Sequence, residues 1–235
     1  MCAVQIKHLI ISFLLVLINA LGHAQTNLVN NPSFETYSTC PSTWSQIGFC
    51  TGWGQPTNHY GSPDYDNSCC TTTTSGVPVN AYGSQAAYSG DAYVGLIMKG
   101  GGSLAQYREY VQGTLSSALV AGSPYVVSAR IAHAQNSQNS SDDFGIHFGT
   151  TAPQLSSSGG GTLGVTPQVA NASGNFLSTN GWVLFQDTFV AAGGEQYITI
   201  GSFASTPNSQ STGTSTGWAH VYVYVDDVHV YLLQS

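Results

Sequence analysis

Three pairs of neighbouring acidic residues are the first candidates for chemistry in this sequence. The pairs are Asp64 with Asp66, Asp142 with Asp143, and Asp226 with Asp227. A glycosidase places two carboxylates about 5 to 9 Å apart around the scissile bond. Adjacent residues on a strand point to opposite faces, so the last pair cannot act together unless a bulge intervenes. The other two pairs are expected in loops, as solvated acids.

A serine motif and several histidines suggest hydrolase or metal chemistry, but their spacing argues against both. Residues 213–217 read Gly-Thr-Ser-Thr-Gly, which matches the G-x-S-x-G pattern of hydrolase nucleophiles. That pattern needs a strand-to-helix turn, whereas this segment is a polar loop before a predicted strand. His220 and His229 have no H-x-H or H-x-x-x-H partner. His133 continues the core-facing alternation of Ile131, so we expect a satisfied structural histidine there.

Aromatic side chains are better ligand candidates, because Trp and Tyr rings stack on the apolar faces of sugars while polar groups fix the orientation. Trp182 begins a predicted core strand and is expected to be structural. The candidate ligand-binding rings lie in a long irregular region at about 36–85 and are Trp44, Trp53, Tyr60 and Tyr65. Large rings in such loops also pack beneath the loop, and that alternative stays open.

Arg130 and His147 complete the candidate ligand-binding set. Both are expected on the non-core faces of strands, where they could share a sheet surface with Ser128. Arg130 is also one of few basic residues in the chain. The alternative is an ordinary solvent-facing cation or a partner for Glu109.

The first 24 residues predict a signal peptide. Lys7 precedes the apolar run 9–21, and small residues lead up to a cleavage position after Ala24. The run is shorter than the roughly 20 residues that span a bilayer. We therefore expect an exported protein without a membrane span, in which residues 25–235 form one β domain.

The composition excludes some partners. Charged residues make up only 6% of the chain and the formal net charge is −7. A nucleic-acid-binding protein needs a basic surface, and this sequence has none. An electrostatic membrane partner is excluded for the same reason. The neutral, hydroxyl- and amide-rich composition suits neutral ligands such as glycans, although it is also common among secreted proteins.

The cysteines predict a disulfide-linked loop region. Those left after signal cleavage are Cys40, Cys50, Cys69 and Cys70. An even number in an exported protein predicts two disulfides, and all three connectivities stay open. A zinc site is a weak alternative, because two cysteines are adjacent and no C-x-x-C pair is present.

Short alternating segments predict a fold made of strands. They are residues 27–35, 91–98, 123–134, 144–148, 181–191, 195–203 and 221–233. In segment 123–134, the alternation places Tyr125 and Ile131 on the core face and Arg130 on the other. Gly193 and Gly194 predict a two-residue hairpin. Because no segment shows helical periodicity, we predict an antiparallel β-sandwich or jelly roll.

Four of these segments resemble the galactose-binding-like jelly-roll domains, which include many carbohydrate-binding modules. They are NLVNNPSFE, LVAGSPYVVSARIA, GWVLFQDTFVAAGGEQYITIGSF and VYVDDVHV. A narrower set, with NPSFETYSTCP, GSPDYDNSC and SGDAYVGL, is similar to a version common in secreted and outer-membrane-associated proteins of Bacteroidetes. The resemblance covers almost all of residues 25–235. No sorting or anchoring domain is expected after the closing strand.

The resemblance implies a structural calcium ion, Ca2+, between the two chain ends. The matching positions are Glu35 and Asp226, with a further oxygen near Asp91. Calcium takes six to eight hard oxygen ligands, which carboxylates and carbonyls supply. Asp226 shares its alternation with Val228 and Val230, and a cation would offset the cost of burying its carboxylate. The alternative is that both acids accept backbone hydrogen bonds.

The functional prediction is a secreted, non-catalytic protein that binds a neutral polysaccharide or cell-surface glycan. A second class is a structural or adhesive surface protein that self-associates, for example into fibres. A third class is a glycan hydrolase or lyase. The low charge and the Ser- and Thr-rich loops fit the first two classes equally well.

Overall fold

The computed structural model describes residues 25–56, 62–155, 161–177, 181–214 and 216–234. The predicted signal peptide and the candidate Tyr60 lie outside these ranges. The described residues form strands and two short 3₁₀ helices, Ile47–Phe49 and Gly102–Leu104. The strands are β1 (Trp53–Gly54), β2 (Asp64–Asn67), β3 (Val79–Asn80), β4 (Gly83–Ser84), β5 (Ala92–Lys99), β6 (Tyr110–Thr114), β7 (Pro124–His133), β8 (Asn139–Ser141), β9 (Gly145–Gly149), β10 (Val169–Ala170), β11 (Val183–Val190), β12 (Tyr197–Gly201), β13 (Ser209–Ser211) and β14 (Val221–Leu232).

The described residues form two five-stranded antiparallel sheets and two smaller, two-stranded ones, β3-β4 and β8-β13. The first sheet has the order β1-β6-β12-β9-β10 and the second has the order β11-β7-β14-β5-β2. Their inward faces share one hydrophobic core. This arrangement confirms the predicted all-β antiparallel sandwich of the jelly-roll type. Among the described residues, no helix is long and apolar enough to cross a membrane.

The core is built by strict alternation along the long strands. On β7, Tyr125 and Ile131 are buried in the core, as predicted, while Arg130 points away from it. Residues of β9 face them from the other sheet, where Ile146 and Phe148 are buried on either side of the half-exposed His147. Side chains on a strand alternate between the two faces, so one apolar face per strand suffices to fill the sandwich.

The two ends of the described chain meet, but the first is not a strand. The Leu28 N–H donates to the Val230 carbonyl at 2.9 Å, and the Asn27 amide bonds the backbone of β14 from both sides. Only Val29 makes a β-bridge in this segment. The predicted strand is therefore wrong. Its extended course is interrupted at Asn31 and Phe34, whose positive φ angles of 49° and 61° no strand can include.

Gly193 and Gly194 do not form the predicted hairpin. β11 belongs to the second sheet and β12 to the first, so this turn carries the chain across the sandwich. Both glycines have positive φ, which permits the sharp change of direction. The Glu195 carboxylate accepts the N–H groups of Ala192 and Gly193 and fixes the crossing.

A bulge in β14 changes the direction in which Asp226 points. The register with β7 shifts between Asp226 and His229, and Asp227 has a positive φ of 51°. Val225 before the bulge and Val228 after it both face the core. Asp226 consequently faces outward with the tyrosines of β14. This corrects the predicted alternation, because a bulge adds one residue and reverses the faces beyond it.

The cysteine-containing region is more ordered than predicted. Its residues 64–67 form β2, the edge strand of the second sheet. Cys40 and Cys69 form one disulfide, whereas Cys50 and Cys70 remain free thiols. This corrects the expectation of a second disulfide. Cys50 is buried in the core beside the Asn31 amide, and burial raises the pKa of its thiol to about 12.

Candidate functional site

Two of the predicted ligand-binding rings belong to the hydrophobic core. Trp53 is 6% exposed and Tyr65 is fully buried. The Trp53 indole donates to the Asn31 carbonyl at 2.9 Å, and the Tyr65 hydroxyl donates to the Phe34 carbonyl at 2.9 Å. Neither ring can stack on a ligand from this position. The prediction that these two rings bind a ligand is wrong, because both pack beneath the loop that carries them.

Trp44, in contrast, lies on the surface beside a second tryptophan. Trp44 is 46% exposed and Trp218 is 40% exposed. Their ring centroids are 6.3 Å apart and their planes are perpendicular, at 89°. We refer to these two residues as the indole pair. Trp218 was not predicted as a site residue, although it lies in a Ser-, Thr- and Gly-rich loop of the same kind that made Trp44 a candidate.

The Trp218 side of the indole pair is held rigidly. The Trp218 backbone N–H donates to the Asn136 carbonyl at 2.7 Å, and its carbonyl accepts from Gln138 at 2.8 Å. The Trp218 ring packs on Tyr82 with centroids 5.7 Å apart. Tyr82 in turn stacks on Tyr222 of β14 at 3.5 Å. The exposed indole of Trp218 therefore packs on Tyr82, which in turn packs on Tyr222 of the second sheet.

The residue that follows Trp44 is also connected to Tyr222, through a buried carboxyl group. The Ser45 N–H donates to Asp64 Oδ1 at 2.7 Å, and the Tyr222 hydroxyl donates to Asp64 Oδ2 at 2.7 Å. A Cβ at Gly95 would overlap the Tyr222 hydroxyl, so glycine is needed at that position. Tyr222 thus packs on Tyr82, which lies beneath Trp218, and is linked through Asp64 to the residue that follows Trp44.

Next to the indole pair, the outward face of the second sheet carries a covered tyrosine layer. We use this name for Tyr82, Tyr93, Tyr222 and Tyr224, which are all buried. Tyr82 belongs to segment 77–90, and this segment lies over the other three rings. The Tyr224 hydroxyl donates to the side chain of Asn80 at 2.8 Å. The Tyr93 hydroxyl donates to the backbone of the same segment, at 2.9 Å. These two hydroxyls hold the covering segment, whereas that of Tyr222 bonds Asp64.

Besides Asp226, three acidic residues are buried around the tyrosine layer. They are Asp64, Asp66 and Glu109. Burial raises the pKa of each carboxyl group. Asp64 and Asp66 lie on one face of β2, which corrects their prediction as solvated loop acids. Glu109 accepts from the Ile97 N–H at 2.8 Å and the Tyr107 hydroxyl at 3.1 Å. Asp64 and Glu109 are hydrogen-bonded inside the fold, whereas Asp66 Oδ2 is buried with no hydrogen-bond partner among the described residues.

The predicted calcium ligands hold a loop in this structure. Glu35 Oε1 accepts the N–H groups of Asp91 and Ala92, each at 2.9 Å. Asp226 Oδ2 accepts the N–H groups of Tyr88 and Ser89. N–H groups cannot bind a cation, so this arrangement satisfies both carboxylates without one. Within the described ranges, no group of three acidic, His or Cys residues is placed to hold a metal. Calcium stays a prediction.

Arg130 and His147 do not share a surface, contrary to the prediction. Arg130 lies on β7 of the second sheet and His147 on β9 of the first, so their outward faces are on opposite sides of the sandwich. The Arg130 guanidinium lies 4.2 Å from the centroid of the Tyr88 ring. His147 Nδ1 is 2.8 Å from the Thr166 carbonyl. Arg130 also does not pair with Glu109, whose carboxyl group is already bonded.

The remaining chemical candidates are structural where the structure describes them. Nε2 of the buried His133 lies 2.7 Å from the Asn139 carbonyl, but its buried Nδ1 has no hydrogen-bond partner among the described residues, so the predicted satisfied histidine is satisfied at one nitrogen only. Trp182 packs on Tyr93 of the covered layer with centroids 5.7 Å apart. Asp142 binds the Gly174 N–H at 2.7 Å and so pins a loop. The serine of the G-x-S-x-G match lies outside the described residues.

Comparison with known proteins gives structural likenesses only. No protein-family model and no curated protein matches the chain. It is similar to a xylan-binding CBM22-1 domain from Paenibacillus barcinonensis, with 14% identity and a TM-score of 0.46 over 91% of this chain and 99% of that one. It is similar to a cleaved adhesin domain of Lys-gingipain from Porphyromonas gingivalis, with 14% identity and a TM-score of 0.42 over 89% and 99%.

A third similar structure is a sugar-binding protein, described as putative, from Bacteroides thetaiotaomicron. The identity is 9% and the TM-score is 0.44, over 88% of this chain and 100% of that one. Likenesses of this strength do not say what this chain binds. The functional conclusion below depends on the described side chains instead.

Proposed function

We propose that the protein binds a neutral polysaccharide or cell-surface glycan at the indole pair. The observation that carries this proposal is the exposure of Trp44 and Trp218 side by side, at 46% and 40%. Burying apolar surface stabilises a protein by roughly 25 cal/mol per Å², yet both indoles remain in water. Exposed rings that are fixed from below are suited to stacking on the C–H faces of sugars.

The perpendicular geometry of the pair favours an extended ligand. With their planes at 89° and their centroids 6.3 Å apart, one ring stacks on a sugar face while the other contacts an edge. The rings lie on the surface and not in a closed pocket, so a chain can continue in both directions. This supports binding within a polymer chain.

The electrostatics of the pair favour a neutral ligand. Charged residues are only 6% of the chain. The carboxyl group beneath the pair, Asp64, is buried, and burial raises its pKa, which favours its uncharged form. A charged glycan would therefore find neither an attractive nor a strongly repulsive group directly under the rings.

Export from the cell is part of the same proposal. The Cys40–Cys69 disulfide supports it, because disulfides form and persist in oxidising compartments outside the cytosol. The predicted signal peptide is in agreement with this location.

Binding to a panel of neutral polysaccharides, measured by affinity electrophoresis and calorimetry, tests the proposal. We expect Trp44→Ala and Trp218→Ala each to weaken binding at least tenfold, since central aromatic residues typically dominate such contacts. Tyr37→Ala is the matched control, because Tyr37 is 39% exposed and lies outside the pair.

Unchanged binding in both tryptophan variants would contradict the proposed site. Ordered polymers in electron micrographs, with no glycan bound, would instead favour a structural or adhesive protein. Turnover of a bound glycan would favour a hydrolase or lyase.

A further inference from the structure

A cleft opens at the opposite edge of the second sheet from β2, between β10 and β11. Its volume is about 550 Å³, within the range of roughly 300 to 1,000 Å³ that small-molecule sites occupy. None of the indole pair or the covered tyrosine layer lines it. Its walls are the turn 170–177 and the first half of β11.

The first wall is pre-formed by two asparagines. The Asn175 side-chain amide donates to Asn171 Oδ1 at 2.7 Å. The Asn171 amide donates back to the Asn175 carbonyl at 2.7 Å and to the Asp142 carbonyl at 3.0 Å. These reciprocal bonds close the turn on itself. A ligand therefore meets a fixed amide surface and pays little ordering cost there.

The second wall carries a carboxylate with one free oxygen. β11 is an edge strand that pairs with β7 on one side. Val183 and Asp187 alternate with the buried Phe185, and their register partners Ile131 and Val127 are core residues, so both side chains lie on the face of β11 that meets the cleft. Asp187 Oδ1 accepts the Thr188 N–H at 2.7 Å, and no described residue donates to its Oδ2. Beside it, Val183 is 39% exposed and offers an apolar contact.

The residues that line the cleft indicate which kind of ligand it can bind. The Asp187 carboxylate accepts from hydroxyl groups and the second N–H of the Asn175 amide donates to them, while Val183 contacts C–H surfaces. The lining residues include no Lys, Arg or His, and their one charge is the carboxylate of Asp187. Such a site attracts no anion. It suits an uncharged polyhydroxyl compound.

We propose that this cleft is a second binding site for one neutral sugar unit. Its walls bound it on two sides, unlike the open indole pair, so it receives a chain end or a side branch and not the middle of a polymer. The site goes beyond the function proposed above and does not require the indole pair. A glycan with a branch or a free end can then engage both sites, which raises the overall affinity through effective concentration.

Titration of the full chain with neutral monosaccharides and disaccharides, followed by NMR of backbone amides, tests this inference. We expect shifts in residues of β11 and of turn 170–177. Ala172→Phe fills the cleft at an exposed position without removing a hydrogen bond, and Asp187→Ala removes the free carboxylate oxygen. Each variant should weaken binding at least tenfold. Thr188→Ala, on the same strand but outside the cleft, should bind normally.

The same titration on Trp218→Ala separates this site from the indole pair. Unchanged small-sugar binding in Trp218→Ala supports an independent cleft site, even if polysaccharide binding is lost. Loss of small-sugar binding in Trp218→Ala but not in Ala172→Phe overturns the inference and leaves the proposed function standing. Shifts of β11 with an extended peptide, and none with any sugar, also overturn it.

Discussion

The covered tyrosine layer and the indole pair are neighbouring aromatic surfaces with opposite fates. Tyr82 touches both, since it stacks on Tyr222 at 3.5 Å and contacts Trp218 at 5.7 Å. Beneath segment 77–90, Tyr93, Tyr222 and Tyr224 are buried and their hydroxyls are bonded to the protein. A few ångströms further out, Trp44 and Trp218 keep their ring faces in water. The covering segment buries the first group of rings and leaves the indole pair exposed to solvent.

The buried acidic residues of β2 lie against the covered tyrosine layer and not at the exposed rings. Asp64 bonds the Tyr222 hydroxyl, and Asp66 lies on the same face of β2. These carboxyl groups serve the covered layer, where low polarity favours their uncharged form. No such group is exposed among the residues described around the indole pair. The covered tyrosine layer thus supports the indole pair through the contact between Tyr82 and Trp218.

The largest effect that the comparison predicts is on stability. Tyr222→Ala removes the ring on which Tyr82 and, beyond it, Trp218 pack, and it leaves the buried Asp64 without the hydroxyl donor of Tyr222. We expect a loss of about 3 to 5 kcal/mol, as for other buried aromatic residues. Trp44→Ala should cost less than about 1 kcal/mol, because that ring is largely exposed. Chemical denaturation of both variants measures the difference, and equal losses would break the distinction between the two regions.

A smaller effect should appear in the pH dependence of stability. Burial raises the pKa of Asp226 to about 7, and it raises the pKa of Asp64, Asp66 and Glu109 as well. A raised folded-state pKa means that the folded protein holds protons that the unfolded chain releases. Stability is therefore full below the unfolded value near 4 and falls as pH rises through 7.

We expect the Tm at pH 8 to lie about 3 °C or more below that at pH 5. Asp66→Asn removes one titrating group without changing its size and should flatten the profile. A Tm that rises steadily from pH 5 to pH 8 would show that the buried acids are ionised in the folded protein.

The smallest predicted effect concerns calcium. Asp226 anchors the end of the covering segment through the N–H groups of Tyr88 and Ser89. If calcium also binds near Glu35, Asp91 and Asp226, EDTA should lower the Tm by about 2 °C or more and added calcium should restore it. Calorimetry with and without EDTA decides between the ion and the backbone hydrogen bonds. An unchanged Tm would rule the ion out.

The sandwich was predictable from sequence because its long strands alternate cleanly. β7 places Tyr125 and Ile131 in the core, and that pattern is visible in the residues themselves. β2 was missed because its residues, Asp-Tyr-Asp-Asn, have low strand propensity and become extended only by pairing with β5. The bulge after Asp226 leaves no local signal, so the predicted face of that residue was wrong.

The candidate site was only partly predictable. Trp44, Trp53 and Tyr65 share one polar loop region, and sequence alone does not say which ring is covered. Burial of Trp53 follows from its contact with Phe34, at 5.0 Å, which is a tertiary property. Trp218 precedes β14 and Trp44 precedes β2. The two loops meet because both strands pair with β5 in the second sheet.

Oxidative footprinting with a bound glycan tests the central claim most directly. Without ligand, Trp44 and Trp218 should be oxidised much faster than the buried Trp53, as read by mass spectrometry. A neutral polysaccharide that binds should protect Trp44 and Trp218 together and leave the exposed Tyr37 unprotected. Binding without protection of either indole would contradict the assignment of the indole pair as the glycan-binding surface.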